Sequence, residues 1–137
     1  MISLKQDVCW GEMDAFGHVN NTVYFKYFEN ARLKYFEDTG ILKLMKENNI
    51  GPIMAQADCQ FIKPIKYPDL IEVKAKVSLI KNSSFILDYE LFSKSLKALV
   101  ASGSSVIVMV DYNTGKKVAV PEKIKSNIII SDNPTCE

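Results

Sequence analysis

Apolar and polar positions along the chain follow two periods in turn. From Asn20 to Thr39, apolar residues recur at Tyr24, Tyr27, Phe28, Ala31 and Tyr35, the i, i+3, i+4, i+7, i+11 stripe of an amphipathic helix. Gly40 is placed to end it. Asn20, Asn21 and Thr22 all suit its first turn, because a short polar side chain there accepts from backbone N–H groups that have no partner within the helix. A short helical segment follows over Ile41 to Asn48, and after Gly51-Pro52 the pattern turns to strand. Val73, Ala75, Val77 and Leu79 alternate with Glu72, Lys74, Lys76 and Ser78. Beyond Lys81-Asn82-Ser83-Ser84, residues Phe85, Leu87, Tyr89 and Leu91 alternate around Asp88 and Glu90, giving a hairpin-like pair. Ala98 to Val110 forms a third long run before the turn sequence Asp111-Tyr112-Asn113-Thr114-Gly115, and Pro121 suits the first turn of a short closing helix.

The predicted order is one strand, one long helix, then several antiparallel strands. It implies an α+β architecture, an antiparallel sheet wrapped around one long central helix, over a single domain spanning 1–137. Only the end, SDNPTCE, has the character of a frayed tail. One main helix leaves the other face of the sheet uncovered. Lys74, Lys76, Asp88 and Glu90 predict that part of this face is solvated, and the apolar run Val106, Val108, Val110 predicts association through the sheet into a homodimer or a dimer-of-dimers tetramer.

Composition narrows the partners. Seventeen basic and sixteen acidic side chains leave a formal charge of +1, so no overall field draws the chain to nucleic acid or an anionic membrane. Charges at Lys5, Asp7, Glu12 and Asp14 interrupt the start, and no stretch reaches membrane-spanning length, which makes a cytoplasmic protein the expectation. Cys9, Cys59 and Cys136 have no CxxC spacing and read as reduced thiols, two of them buried. His18 is the only histidine, so no metal site is expected.

Chemistry-bearing residues concentrate in Trp10-Gly11-Glu12-Met13-Asp14-Ala15-Phe16-Gly17-His18-Val19-Asn20-Asn21, immediately before the long helix. An Asp14 on the turn leading into that helix would sit near unpaired N–H groups available to a carbonyl or oxyanion. Acyl transfer uses both parts: a carboxylate that attacks the carbonyl or activates water, and donors for the oxygen that gains charge. The structural alternative for Asp14 is a turn-forming or capping residue, and for His18 a loop imidazole bonded to the backbone.

The segment WGEMDAFGHVNNTVYFKYFENAR resembles the signature of hotdog-fold acyl-CoA thioesterases of the 4-hydroxybenzoyl-CoA thioesterase family. In that signature an Asp, two residues, Gly-His-Val-Asn-Asn and a Tyr-rich helix follow the first strand. The resemblance implies a hotdog fold, hydrolysis of an acyl-CoA whose coenzyme A is part of the substrate rather than a cofactor, and active sites at a dimer interface. It places Asp14 as the catalytic carboxylate, as nucleophile or general base, the N–H groups of Gly17, His18 and Val19 as carbonyl-polarising donors, and the His18 ring beside the thioester. Where the aromatic-substrate branch has an aromatic residue this chain has Asn21, which leaves the acyl group open. A hotdog hydratase or dehydratase using Asp14 and His18, and a noncatalytic acyl-thioester binder, are the competing functions.

Two further sets complete the expected site. Phe25, Glu29, Arg32 and Phe36 share one helix flank, with Glu29 and Arg32 spaced for an i, i+3 contact. This is either an architectural ion pair or a place for Glu29 beside the substrate. Lys81, Asn82, Ser83 and Ser84 offer a cation and polar donors for coenzyme A phosphates, or form an ordinary hairpin turn; Lys63 and Lys66 are further candidate cations.

Overall fold

The computed structural model describes all 137 residues. In chain order the elements are β1 (Ile2–Asp7), a single 3-10 turn (Trp10–Glu12), α1 (Asn21–Thr39), α2 (Ile41–Asn48), β2 (Ile50–Phe61), β3 (Leu70–Ile80), β4 (Ser84–Ser93), β5 (Ala98–Asp111), α3 (Glu122–Asp132) and β6 (Thr135–Cys136). The sheet is ordered β1-β3-β4-β5-β2 with antiparallel neighbours, and β6 adds to β3 in parallel. No helix is long and apolar enough to cross a membrane.

The predicted stripe of α1 is its buried face. Tyr24, Tyr27, Phe28, Ala31 and Tyr35 all sit in the core, against the inward-facing Val73, Ala75 and Val77 of β3 and Leu87, Tyr89 and Leu91 of β4. Removing such side chains from water contributes about 1.5–3 kcal/mol each, which commits the helix to this face of the sheet. Asn20 caps the first turn, its Oδ1 accepting from Thr22 N–H at 2.9 Å, and Gly40 closes the last turn in the left-handed region at φ 90°. Phe28 stacks on Tyr89 with centroids 4.7 Å apart. This contact needs the glycine at 103, since a Cβ there would come within 2.3 Å of the Asp58 carbonyl oxygen and 2.8 Å of the Phe28 ring.

The structure corrects several expectations. The alternation in β3 breaks at a register shift between Val77 and Leu79, so Ile80 rather than Leu79 is fully buried. Gly51-Pro52 lies inside β2 rather than before it. Proline is tolerated there because β2 is an edge strand, bonded only to β5. For the same reason Val106, Val108 and Val110 are not a free apolar edge: β5 is flanked by β4 and β2, and Val108 and Val110 are buried. The exposed apolar edge is β2 itself, where Ile53, Met54 and Phe61 are between 44% and 49% exposed. The terminal segment is tied down: β6 pairs with β3, and the Asp132 side chain is fully screened from solvent. No cysteine is buried. Cys9 and Cys136 are exposed, Cys59 is half-buried, and all three are unpaired. Across the outer face, Lys76 and Glu90 are exposed, and Asp88 accepts from Ser104 Oγ at 2.6 Å, so this face is polar as its sequence indicated.

Candidate active site

The loop between the 3-10 turn and α1 is shaped by Asp14. Its backbone N–H donates to His18 O at 2.8 Å, and its carbonyl accepts from Gly17 N–H at 3.1 Å. Oδ1 of its side chain accepts from Phe16 N–H at 2.8 Å and, at a limiting 3.5 Å, from His18 N–H. Gly17 adopts φ 80°, a conformation that costs other residues energy, which accounts for glycine at the tip. The loop is fastened on both sides, by Val19 N–H to Ile65 O at 2.8 Å and by Asn20 N–H to Glu12 O at 2.9 Å. Glu12 in turn accepts from Cys9 N–H and from the Tyr27 hydroxyl. Burial, reinforced by that carboxylate, pushes the Tyr27 pKa far above its ordinary value and keeps the phenol a donor.

Beside this loop opens a cleft of about 440 Å³, lined by Asp14, Phe16, His18, Val19, Asn21, Tyr24, Phe61, Ile62, Lys63 and Pro64. The structure thus brings together five of the expected residues, Asp14, His18, Val19, Asn21 and Lys63. Asp14 Oδ2 has no hydrogen-bond partner within the chain. Among the expected backbone donors, Gly17 and Val19 spend their N–H groups inside the chain, and His18 makes only the long contact to Asp14. The N–H of Asn21, at the first position of α1, has no acceptor. The N–H group left without an acceptor beside the cleft is thus at the helix start.

The opposite wall comes from residues 61–64, which sequence reasoning touched only through Lys63. The Tyr24 hydroxyl donates to Lys63 O at 3.3 Å and accepts from Ile65 N–H at 3.2 Å, and its ring meets Phe61 edge-on at 5.0 Å. One helix residue thereby holds the segment that fastens Val19. The hydrophobic stripe identifies Tyr24 as buried but carries no sign of what its hydroxyl reaches 39 and 41 residues away.

Two expected sets lie elsewhere. Glu29 is 70% exposed and faces a second pocket along α1, with its Oε2 3.9 Å from Arg32 Nη2. Lys81, Asn82, Ser83 and Ser84 form the turn at the far end of β3. None of these four turn residues lines the cleft. At the turn, Lys81 pairs with Glu137, while Asn82 and Ser83 carbonyls accept from Val120 and Met109. Within the chain this is a hairpin turn, and the cation at the cleft is Lys63. No group of three or more His, Cys, Asp or Glu side chains is arranged to hold a metal ion.

An open carboxylate oxygen and an unspent helix N-terminal N–H, in a cleft walled by Phe16, Phe61 and Ile62, combine a proton acceptor with a donor suited to an oxyanion. Residues 8–128 match the model of the Thioesterase-like superfamily. The chain belongs to this superfamily. The thioesterase-like relatives include the long-chain acyl-CoA thioesterase FadM of Escherichia coli, 22% identical over 116 residues that cover 85% of this chain and 88% of FadM. The uncharacterized protein YsmA of Bacillus subtilis is 29% identical over 127 residues, covering 91% of this chain and 83% of YsmA. Among solved structures, a hypothetical protein from Aquifex aeolicus superposes with a TM-score of 0.83 at 26% identity, covering 93% of this chain and 99% of the other. The sheet wrapped around α1 is the α+β hotdog arrangement of these thioesterase-like neighbours.

Proposed function

We propose that the chain hydrolyses an acyl-CoA to coenzyme A and the free carboxylic acid, with Asp14 as the catalytic carboxylate. The observation that carries this reading is the pairing of the unpartnered Asp14 Oδ2 with the unspent Asn21 N–H across one cleft, in a chain of the thioesterase superfamily. The relative FadM, described as a long-chain acyl-CoA thioesterase, supports the substrate class. Asp14 Oδ2 removes a proton from water as the water oxygen bonds to the thioester carbon. The Asn21 N–H, at the positive end of the α1 dipole, stabilises the resulting oxyanion, assisted by the His18 N–H when its long bond to Asp14 yields. Collapse breaks the C–S bond and returns the proton to the departing thiolate. Fastening Asp14 through Oδ1 favours this general-base role over direct attack, since the loop holds the carboxylate in place while Oδ2 stays open. Lys63 at the rim meets a phosphate of coenzyme A, and a homodimer joined along β2 covers the apolar edge beside the cleft.

The test is free-thiol release from short, medium, long and aromatic acyl-CoAs, comparing wild type with Asp14→Asn. Wild type is expected to turn over at least one of them, and the variant to lose about 10²–10⁴-fold in kcat with little change in KM. A variant retaining more than a tenth of the wild-type kcat would remove Asp14 from the mechanism.

A further inference from the structure

Resting on that reading, we infer that the second pocket along α1 receives the far end of the acyl group, and that Arg32 selects chains carrying a hydroxyl or carbonyl oxygen there. The pocket has a volume of about 240 Å³ and shares its two walls with the cleft. On α1, Asn21 faces the cleft while Phe25, Glu29 and Arg32 continue the same flank. On β2, Phe61 faces the cleft while Ala57 and Met54 face the second pocket. The two openings therefore lie in series along one groove between helix and edge strand. The Phe25 and Phe61 rings, 6.5 Å apart, stand between them.

The chemistry changes along the groove. Phe25, Phe28 and Met54 give the second pocket apolar walls, and Arg32 supplies a guanidinium whose side chain is only 14% exposed. Of its five N–H donors, one reaches the Tyr89 hydroxyl at 3.2 Å, an oxygen already shared with Ser105 Oγ at 2.6 Å. Glu29, at 3.9 Å, is beyond hydrogen-bond reach. No buried side-chain nitrogen is sealed off without a partner, so the remaining donors keep access to solvent, and Arg32 lines the pocket. A mostly buried cation with spare donors favours an incoming oxygen acceptor, and a bare hydrocarbon end would leave those donors unpaired. Glu29, 3.9 Å from Arg32 in the same pocket, offsets the guanidinium charge, so a neutral oxygen fits better than a carboxylate. Arg32 reaches back toward Phe28, about 10 Å along the axis from Asn21, which an extended chain of about eight bonds spans. The class is a medium-chain acyl group oxygenated near its far end.

The experiment compares octanoyl-CoA with 8-hydroxyoctanoyl-CoA on wild type, Arg32→Met and Arg32→Lys, recording kcat/KM, the dissociation constant of each thioester on the Asp14→Asn background, and the oligomeric state. Wild type is expected to favour the hydroxylated chain by about tenfold, the worth of one hydrogen bond to a charged donor. Arg32→Met should abolish the preference, weakening the hydroxylated chain and relieving octanoyl-CoA of the unpaired donors, and Arg32→Lys should retain part of it. Equal handling of the two thioesters by wild type overturns the inference, as does a preference that survives in Arg32→Met. Arg32 variants that weaken both substrates alike, or shift the oligomeric state, would make the residue architectural and also overturn it. If neither thioester is hydrolysed, the wider acyl-CoA panel decides the proposed function, and the two dissociation constants still decide this inference.

Discussion

The most heavily bonded carboxylate in the molecule, Asp132, lies far from the Asp14 cleft. Its Oδ2 accepts from the Tyr35 hydroxyl and from Val77 N–H, and its Oδ1 from the N-terminal amine and Ser131 Oγ. One residue at the end of α3 thus ties α1, the register shift in β3 and the chain start together. Burial by itself would raise its pKa, but the bonds from the amine, Tyr35 and Val77 outweigh that and hold the carboxyl below its ordinary 3.8. A folded-state value below the unfolded one makes the contribution full above 3.8 and progressively lost as pH falls through the lowered value. Asp132→Asn is expected to reduce unfolding free energy by about 2 kcal/mol near neutral pH, with the gap to wild type narrowing toward about pH 2. Urea denaturation at both ends of that range checks it, and a gap independent of pH would assign the effect to packing rather than charge. None of this was legible in the sequence. Asp132 falls in a short polar stretch that local composition assigns to a frayed end, and its partners Tyr35 and Val77 lie 97 and 55 residues away. The place of Asp14 on the turn before α1 was legible because its own loop supplies its partners, Phe16 and His18, within four residues.

At the level of elements, the site depends on how α1 grips the segment after β2. Tyr24 joins Lys63 O to Ile65 N–H, and Ile65 is fully buried, so removing the hydroxyl leaves an N–H without an acceptor in a dry setting. Tyr24→Phe is expected to cost about 1–3 kcal/mol in stability. Because Ile65 O also holds Val19, the variant should raise KM for acyl-CoA more than it lowers kcat, read from steady-state thiol release beside a thermal melt; unchanged KM would detach this strap from the cleft. The contrast between α1 and its surroundings shows what sequence carries. A period near 3.6 fixes which face of α1 is buried, and Asn20 and Gly40 fix its ends, all from local physics. Which strand meets that face, and where a tyrosine hydroxyl lands, depend on contacts between distant segments that periodicity does not encode. The β3 shift at Val77/Leu79 shows the same limit: strict alternation in the sequence carries no mark of the extra residue that moves Ile80 inward.

At the scale of the whole molecule, the sheet order leaves β2 on an edge with little protection. A long edge strand usually carries several charges or prolines that block pairing. The twelve residues of β2 include one charge, Asp58, and one proline, Pro52, close to its start. The register shift between Met54 and Gln56 distorts only the first half. Cys59 adds no charge either, because burial and then Asp58 push its thiol up to about 11, keeping it protonated near neutral pH. Ile53, Met54 and Phe61 stay partly exposed, and Phe25, Ile62 and the 86% exposed Phe16 extend the apolar surface to the cleft rim. Self-association by a two-fold axis covers a patch of this kind on both copies at once. A stable pair needs about 1,200–2,000 Å² buried in total, more than strand pairing alone provides, so the rim around Phe16 and Phe25 belongs to the expected interface. Ile53→Glu places an uncompensated charge on that edge and is expected to convert a dimer into a folded monomer by light scattering. The same variant should lose most thioesterase activity although Ile53 touches neither pocket, because the groove between α1 and β2 would be left open to solvent on its outer side. A monomeric variant with full activity would show the cleft complete within one chain, and an Ile53→Glu dimer would move the interface off β2 altogether.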